Sequence, residues 1–312
     1  MTSSEQNGTP AYDHAISMTN SVAMVAEGLH KLALQRSQEA LENGALRPLS
    51  TDIETWAGSG DGGFEIRHLV GAPPRHLRAA GPKPNPFRPW DQRLELTRVG
   101  NEHVLILNKY PVQLGHMLLI SQSWQPQVGW LSLMDWTAVC QVNQDTGGLW
   151  FFNSGPQAGA SQPHRHLQLL PRKQGDRLCP RDAWFQQHLL DATSSRPMDS
   201  LERSISIKPL PLTWSGSALL EVYLDLCQHS GLGSPQRNEK PLAPYNLLIS
   251  AGWMALIKRS CDEVHGYSVN ALGFAGYLLS TERSNRTWLE AHGPEALLLS
   301  LIHISEPTRP VP

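Results

Sequence analysis

Asn153-Ser154-Gly155-Pro156-Gln157-Ala158-Gly159-Ala160-Ser161-Gln162-Pro163-His164-Arg165-His166-Leu167-Gln168-Leu169-Leu170-Pro171 is the stretch on which the reading of this chain turns. A Gly-rich turn segment passes into a short alternating run that carries His, His and Gln. Side chains on a strand change face at every residue. His164, His166 and Gln168 therefore share one face, and Arg165, Leu167 and Leu169 take the other. Two imidazoles and an amide in a row fill a core badly, because each buried polar group demands a partner. They are well suited to a site.

The preceding loop supplies what the row lacks. Gly155 and Gly159 open backbone angles closed to other residues, so that amide N–H groups can converge on an anion. Asn153, Ser161 and Gln162 add neutral side-chain donors of the kind that bind phosphate oxygens. A phosphate cradle beside an imidazole implies nucleophilic attack at phosphorus through a phospho-histidine. An imidazole with a reference pKa of ~6.5 is largely neutral at pH 7, so no general base is required. A metal reading of His164 and His166 needs a third ligand, and the neighbourhood offers no nearby Asp, Glu or Cys.

The stretch resembles the active-site signature of the histidine-triad superfamily, in the branch where Gln replaces the third His. Within that branch, NSGxxxGASQPHxHxQ is most similar to the family of ATP adenylyltransferases, also called diadenosine tetraphosphate (Ap4A) phosphorylases. The resemblance implies an α+β, histidine-triad-like fold: an antiparallel sheet with packed helices and a C-terminal segment completing the cleft. It makes His166 the nucleophile at the α-phosphorus, His164 the partner that orients the site, and Gln168 a hydrogen-bond partner of the phosphate or bridging oxygen. The implied reaction is Ap4A plus phosphate to ATP plus ADP, reversibly, through an adenylyl-histidine. Mg²⁺ is expected with the nucleotide phosphates, without a tightly bound cofactor. A uridylyltransferase acting on a sugar 1-phosphate shares the His-x-His-x-Gln ending but lacks the GASQ run. A non-catalytic binder of dinucleoside polyphosphates is the remaining alternative.

The same resemblance extends along the chain. "NKYPVQLGH" matches a pattern whose Asn lies at the nucleotide ribose, which assigns ribose binding to Asn108 and a place near phosphate to Lys109; His116 is read as packing or support. "SVNALGFAGY" matches a substrate-contacting motif and nominates Asn270, the Ala271–Leu272 backbone and Tyr277. The Pro- and Gly-rich loop 71–92 departs from the family's usual Arg-Lys pair, leaving Arg78 or Lys83 to reach the polyphosphate. Ser280-Thr281 stands where some relatives carry a Lys.

Composition agrees with a small-molecule enzyme. The chain has 312 residues, 40% hydrophobic and 17% charged, with a formal charge of −2. That is ample for a large core, and it offers no basic field for nucleic acid or an anionic membrane. Nucleotides (Ap4A, ATP, ADP) and phosphate are the expected partners. Four scattered cysteines form no C-x-x-C pair, against a zinc ribbon or a secreted disulfide framework. No signal-like N-terminus or apolar run of ~18 residues is present, so a cytoplasmic protein is expected.

Residues 1–20 read as a polar lead, 21–198 as the catalytic domain, 204–300 as a C-terminal adenylyltransferase domain and 301–312 as a tail. Periodicity predicts helices over 22–41, 132–142, around 182–192 and over 217–228. It predicts strands over 64–70, 104–107 and 117–120, in "GLWFFN" before the loop, and on both sides of Gly252.

Overall fold

The computed structural model describes residues 27–58, 62–71, 85–173, 175–191 and 199–302. The expected polar lead, Arg78, Lys83 and the tail beyond Ile302 lie outside the described residues.

Helix α1 (Gly28–Glu42) ends at Asn43, with Gly44 at φ 73°, the left-handed stop that glycine supplies. Strand β1 (Thr51–Ala57) and β2 (Gly63–Leu69) follow as an antiparallel pair. Strand β1 was not foreseen. It is half exposed on an edge, so its apolar residues do not form a period-two pattern. Strands β3 (Glu95–Val99), β4 (His103–Leu107) and β5 (Met117–Ser121) come next. Both faces of β4 and β5 are covered, which is why they read as unbroken apolar runs.

Helix α2 (Leu133–Asp145) starts at a capping box: the Ser132 hydroxyl accepts from the Asp135 N–H, and the Asp135 carboxylate accepts from the Ser132 N–H. Strands β6 (Gly148–Asn153) and β7 (His166–Pro171) then flank the Gly-rich loop. Helices α3 (Asp182–Asp191) and α4 (Ser200–Ser204) lead to β8 (Ile205–Pro209), helix α5 (Gly216–His229), and the pair β9 (Tyr245–Ile249) and β10 (Trp253–Lys258). A small hairpin, β11 (Glu263–Val264) and β12 (Tyr267–Ser268), precedes the short helix α6 (Ala271–Phe274), β13 (Tyr277–Ser280) and helices α7 (Arg286–His292) and α8 (Pro294–Ser300).

Eight strands form one antiparallel sheet in the order β3-β4-β5-β7-β6-β9-β10-β8. The compositional break near residue 200 therefore falls between two parts of one sheet, with strands from both sides joined at β6 and β9. One face carries Leu105, Met117, Leu167, Leu169, Phe152 and Leu247 against α1, α2 and α5. On the opposite face the apolar side chains separate into two clusters. Val104, Ile106, Leu118 and Ile120 of β4 and β5 pack with Phe87. Phe151, Leu248, Ala255 and Ile257 pack beneath Phe64, Ile66 and Leu278, which belong to a second sheet, β1-β2-β13. There β2 pairs in parallel with β13, more than two hundred residues later in the chain. Strand β7 lies between β5 and β6, so the even-numbered residues His166 and Gln168 line a trough between the two clusters. The C-terminal segment builds one wall of it.

Candidate active site

The shared face predicted for His164, His166 and Gln168 is realised, although regular pairing begins only at His166. His164 sits in an isolated bridge opposite Pro126. Its partners assign its tautomer. Nε2 donates to the Ser121 carbonyl at 2.7 Å, while Nδ1 accepts from Asn85 Nδ2 at 2.9 Å. The direction of the second bond follows because Asn85 Oδ1 is already taken by the Phe87 N–H. His166 has the opposite tautomer. A carbonyl can only accept, so the 2.8 Å contact with the His164 carbonyl puts the proton on Nδ1. Nε2 of His166 keeps its lone pair and has no partner among the described residues. Burial, helped by the His164 and Arg165 neighbourhood, lowers the His166 pKa to about 4. The ring is neutral at physiological pH.

Gln168 is oriented by a chain of neutral groups. Asn108 Oδ1 accepts from the Tyr110 N–H, so its Nδ2 donates to Nδ1 of His116 at 3.1 Å. His116 Nε2 then donates to Gln168 Oε1 at 3.0 Å. Desolvation lowers the His116 pKa to about 4, keeping this link uncharged. The Gln168 amide NH₂ is thereby left for the trough. His116, read from the sequence as packing or support, touches a residue of the row directly. Asn108 is half committed to its own turn and half to His116, with one N–H and one lone pair remaining.

The loop behaves differently from the expected amide cradle. The N–H groups of Ala158, Gly159 and Ala160 close a 3₁₀ turn onto Gly155 and Pro156 carbonyls at 2.8–3.0 Å. They are spent inside the loop. The amides of Ser161 and Gln162 and the Ser161 hydroxyl have no partner among the described residues, and Gln162 Oε1 is buried without one. The free donors thus begin at Ser161, two residues after Gly159. Asn153 is half committed, its Nδ2 having no partner among the described residues. Its Oδ1 accepts from Asn246 Nδ2 at 2.8 Å and from the Ala271 N–H at 2.9 Å. It pins the loop to the C-terminal segment, and Asn246 adds a 2.8 Å bond to the Ala158 carbonyl. Arg259, buried with its charge facing neutral acceptors, holds Asn246 Oδ1 and the Val269 carbonyl.

The second motif lands beside the loop, with its amides already used. Asn270 Oδ1 caps α6 through the Leu272 N–H, and the Ala271 N–H belongs to Asn153. The N–H groups of Ala271 and Leu272, expected at the substrate, are thus engaged in internal bonds. Lys109 is turned to the Tyr110 ring, its ammonium 6.0 Å from the centroid. Tyr277 lies at the far end of β7, its hydroxyl accepting from Arg172 at 2.9 Å, in a polar hollow of about 410 Å³ that also holds Arg67 and Arg177.

Gly159 is the hinge between motif and loop. At φ +81° an added Cβ would stand 2.8 Å from both Cα and Cβ of Asn270. Gly44, at φ +73°, has nothing within 4 Å. Gly44→Ala is expected to cost only the left-handed backbone penalty, ~1–2 kcal/mol, with turnover unchanged. Gly159→Ala should lose more stability and raise the nucleotide KM at least ~10-fold by shifting Ser161 and Gln162. Denaturant titration and steady-state kinetics of the two variants check this. Equal behaviour of the pair would show that the Asn270 contact is irrelevant.

Four residues that support the site were not assigned to it by sequence reading. Asn85 and Phe87 strap the site from outside, with the Phe87 ring 5.4 Å from His166 and 5.8 Å from His164. Asp135 binds Arg165 at 2.9 Å and His103 at 2.9 Å beneath β7. Gln127 meets the His166 backbone. No periodicity or motif marks them as parts of the site; only the chain's path brings them together.

A neutral, oriented imidazole beside unpartnered donors on an antiparallel α+β sheet defines the kind of site: one suited to nucleophilic attack at a phosphoryl group. The Ap4A phosphorylase N-terminal domain family matches residues 19–182, the ATP adenylyltransferase C-terminal domain family matches residues 197–302, and the chain belongs to the family that these two domains define. Protein APA1 of Saccharomyces cerevisiae is 29% identical over 199 residues, 56% of this chain and 60% of that protein, so this match spans less than two thirds of its length. Diadenosine 5',5'''-P1,P4-tetraphosphate phosphorylase 2 of the same organism is 28% identical over 233 residues, 64% of this chain and 69% of that protein. Two crystal structures of yeast Ap4A phosphorylase Apa2, the second in complex with Ap4A, superpose with TM-scores of 0.67 and 0.66 at 21% identity, over 89% of this chain and 98% of that one. At that identity the likeness is one of fold. No helix among the described residues is long and apolar enough to cross a membrane.

Proposed function

We propose that this chain catalyses the reversible phosphorolysis of Ap4A to ATP and ADP, with His166 as the group that carries the adenylyl moiety. The observation that carries the reading is the His166 tautomer: Nδ1–H bound to the His164 carbonyl leaves the Nε2 lone pair facing the trough. Nε2 attacks the α-phosphorus; an N–P bond forms, the bridging P–O bond breaks, and ATP departs. An oxygen of inorganic phosphate then attacks the same phosphorus, the N–P bond breaks, and ADP is released. The donors of Ser161, Gln162 and Gln168 suit the charge that develops on the non-bridging oxygens. Among the described residues no three His, Cys, Asp or Glu side chains cluster to hold a metal. In this reading Mg²⁺ arrives on the nucleotide phosphates, as is usual for it.

The test is a product assay on purified protein with Ap4A and phosphate. ATP and ADP formed in equal amounts, only when phosphate is present, is the expected result. AMP formed without phosphate would make the chain a hydrolase. Turnover of a uridylyl sugar instead would move it to the sugar-phosphate branch, and nucleotide binding without turnover would make it a binding protein. The reading also places the protein in the cytoplasm, with its substrates.

A further inference from the structure

Strands β6 and β7 pair in register from Gly148↔Pro171 to Phe151↔Gln168 and then part. The next hydrogen-bonded pair would have been Asn153 with His166. A side chain stands there instead. Gln127 Oε1 accepts the His166 N–H at 2.8 Å, and Gln127 Nε2 donates to the Asn153 carbonyl at 2.7 Å and to the His166 carbonyl at 3.1 Å. The amide of Gln127 acts as an inserted peptide unit, satisfying the backbone groups that the parted strands would leave bare. It is 1% exposed. Its own segment runs along the strand entry: the Gln127 N–H donates to the Pro163 carbonyl and the Arg165 N–H to the Gln125 carbonyl, at 2.8 and 2.9 Å. From below, Arg165 donates to the Pro126 carbonyl at 2.8 Å and ties that segment to Asp135.

We infer that Gln127 is a positioning residue for nucleotidyl transfer: its side-chain amide holds the strands apart and clamps both backbone polar groups of His166, so that the His166 ring keeps its line to the phosphorus. The residue touches no substrate in this account; it acts through the peptide of the nucleophile. His166 has two anchors, Gln127 on its backbone and the His164 carbonyl on its ring. The ring bond holds only while the His166 backbone keeps its place relative to residue 164. Loss of the Gln127 amide lets β7 slide toward the gap and frees the ring to sample its other tautomer.

The inference rests on His166 being the nucleophile, and its test separates the two claims. Gln127→Met conserves length and volume and removes all three hydrogen bonds. In this variant kcat for Ap4A phosphorolysis should fall about 100-fold, the scale that follows from a ~1 Å misplacement. KM and the affinity for AMP should stay within about threefold, since the variant removes transition-state alignment and not binding. Independently of any substrate, ¹H–¹⁵N long-range NMR of the free protein should report one Nδ1–H tautomer for His166 in the wild type and a mixture in Gln127→Met. Gln127→Glu keeps the acceptor and lacks the paired donors; it carries the same readouts should Gln127→Met not fold. An unchanged His166 tautomer, or a kcat within threefold of wild type in a folded variant, overturns the role of Gln127. A wild type that does not phosphorolyse Ap4A, but whose tautomer still responds to the variant, overturns the reaction and leaves the clamp standing.

Discussion

Replacing His166 by alanine is expected to lower nucleotidyl transfer on the order of 10⁴- to 10⁶-fold, the scale seen when a covalent nucleophile is removed from a machinery that acts as a unit. The size of the effect follows from what would be lost. Among the described residues of the row, Nε2 of His166 is the group with a free lone pair, a neutral charge state and a fixed tautomer. Ser161, Gln162 and Gln168 would remain, so AMP binding measured by calorimetry should survive. Single-turnover experiments with labelled Ap4A should detect a protein-bound adenylyl group in the wild type and none in the variant. The pH profile provides a second check. Only the neutral ring attacks, and burial moves the His166 pKa to about 4, so kcat/KM should hold through pH 6 and fall as pH drops toward 4. A fall centred on the ordinary histidine value would mean that the ring is more hydrated than its 3% exposure indicates.

Asp135→Ala is expected to destabilise the fold by about 3–5 kcal/mol, the cost of leaving one member of a buried ion pair without its partner. Arg165 would keep its guanidinium under β7 with only the Pro126 and Trp130 carbonyls to face. The reciprocal half of the α2 capping box, the Asp135 carboxylate on the Ser132 N–H, would be lost as well. Urea denaturation at pH 7 measures the loss directly; a change below ~1 kcal/mol would mean the pair is as dispensable as a surface bridge. Linkage gives the pH dependence. Burial by itself would raise the Asp135 pKa, but the His103 hydrogen bond and the Arg165 charge outweigh it, and the net shift is downward. A carboxyl lowered in the folded state contributes stability that is present above its unfolded pKa and lost as pH falls through the folded one. His116 and His166, held neutral down to about 4 against an ordinary 6.5, act in the same direction. Their contribution is complete above pH 6.5 and declines as pH falls toward 4. Wild-type stability should therefore erode in acid, and Asp135→Ala should show a weaker dependence below pH 4.

By itself the sequence determined the site row and the family. Alternation is a local property, so His164, His166 and Gln168 were bound to share a face once that segment was extended. Helical periodicity is local too, so the apolar spacing announced α1 and α2. The parting of β6 and β7, with Gln127 filling the gap, was settled by tertiary structure alone. It depends on where a loop forty residues upstream crosses the strand entry, and no spacing encodes that. The same is true of the Ala271 and Leu272 amides, expected to meet substrate and found on the side-chain oxygens of Asn153 and Asn270. A donor is claimed by whichever acceptor the fold brings within 3 Å, and burial makes an unclaimed donor costly. Residue types and local periodicity can therefore announce a phosphate site. Which of its hydrogen-bonding groups remain free for the phosphate is decided by long-range packing, after the backbone has taken the partners it needs.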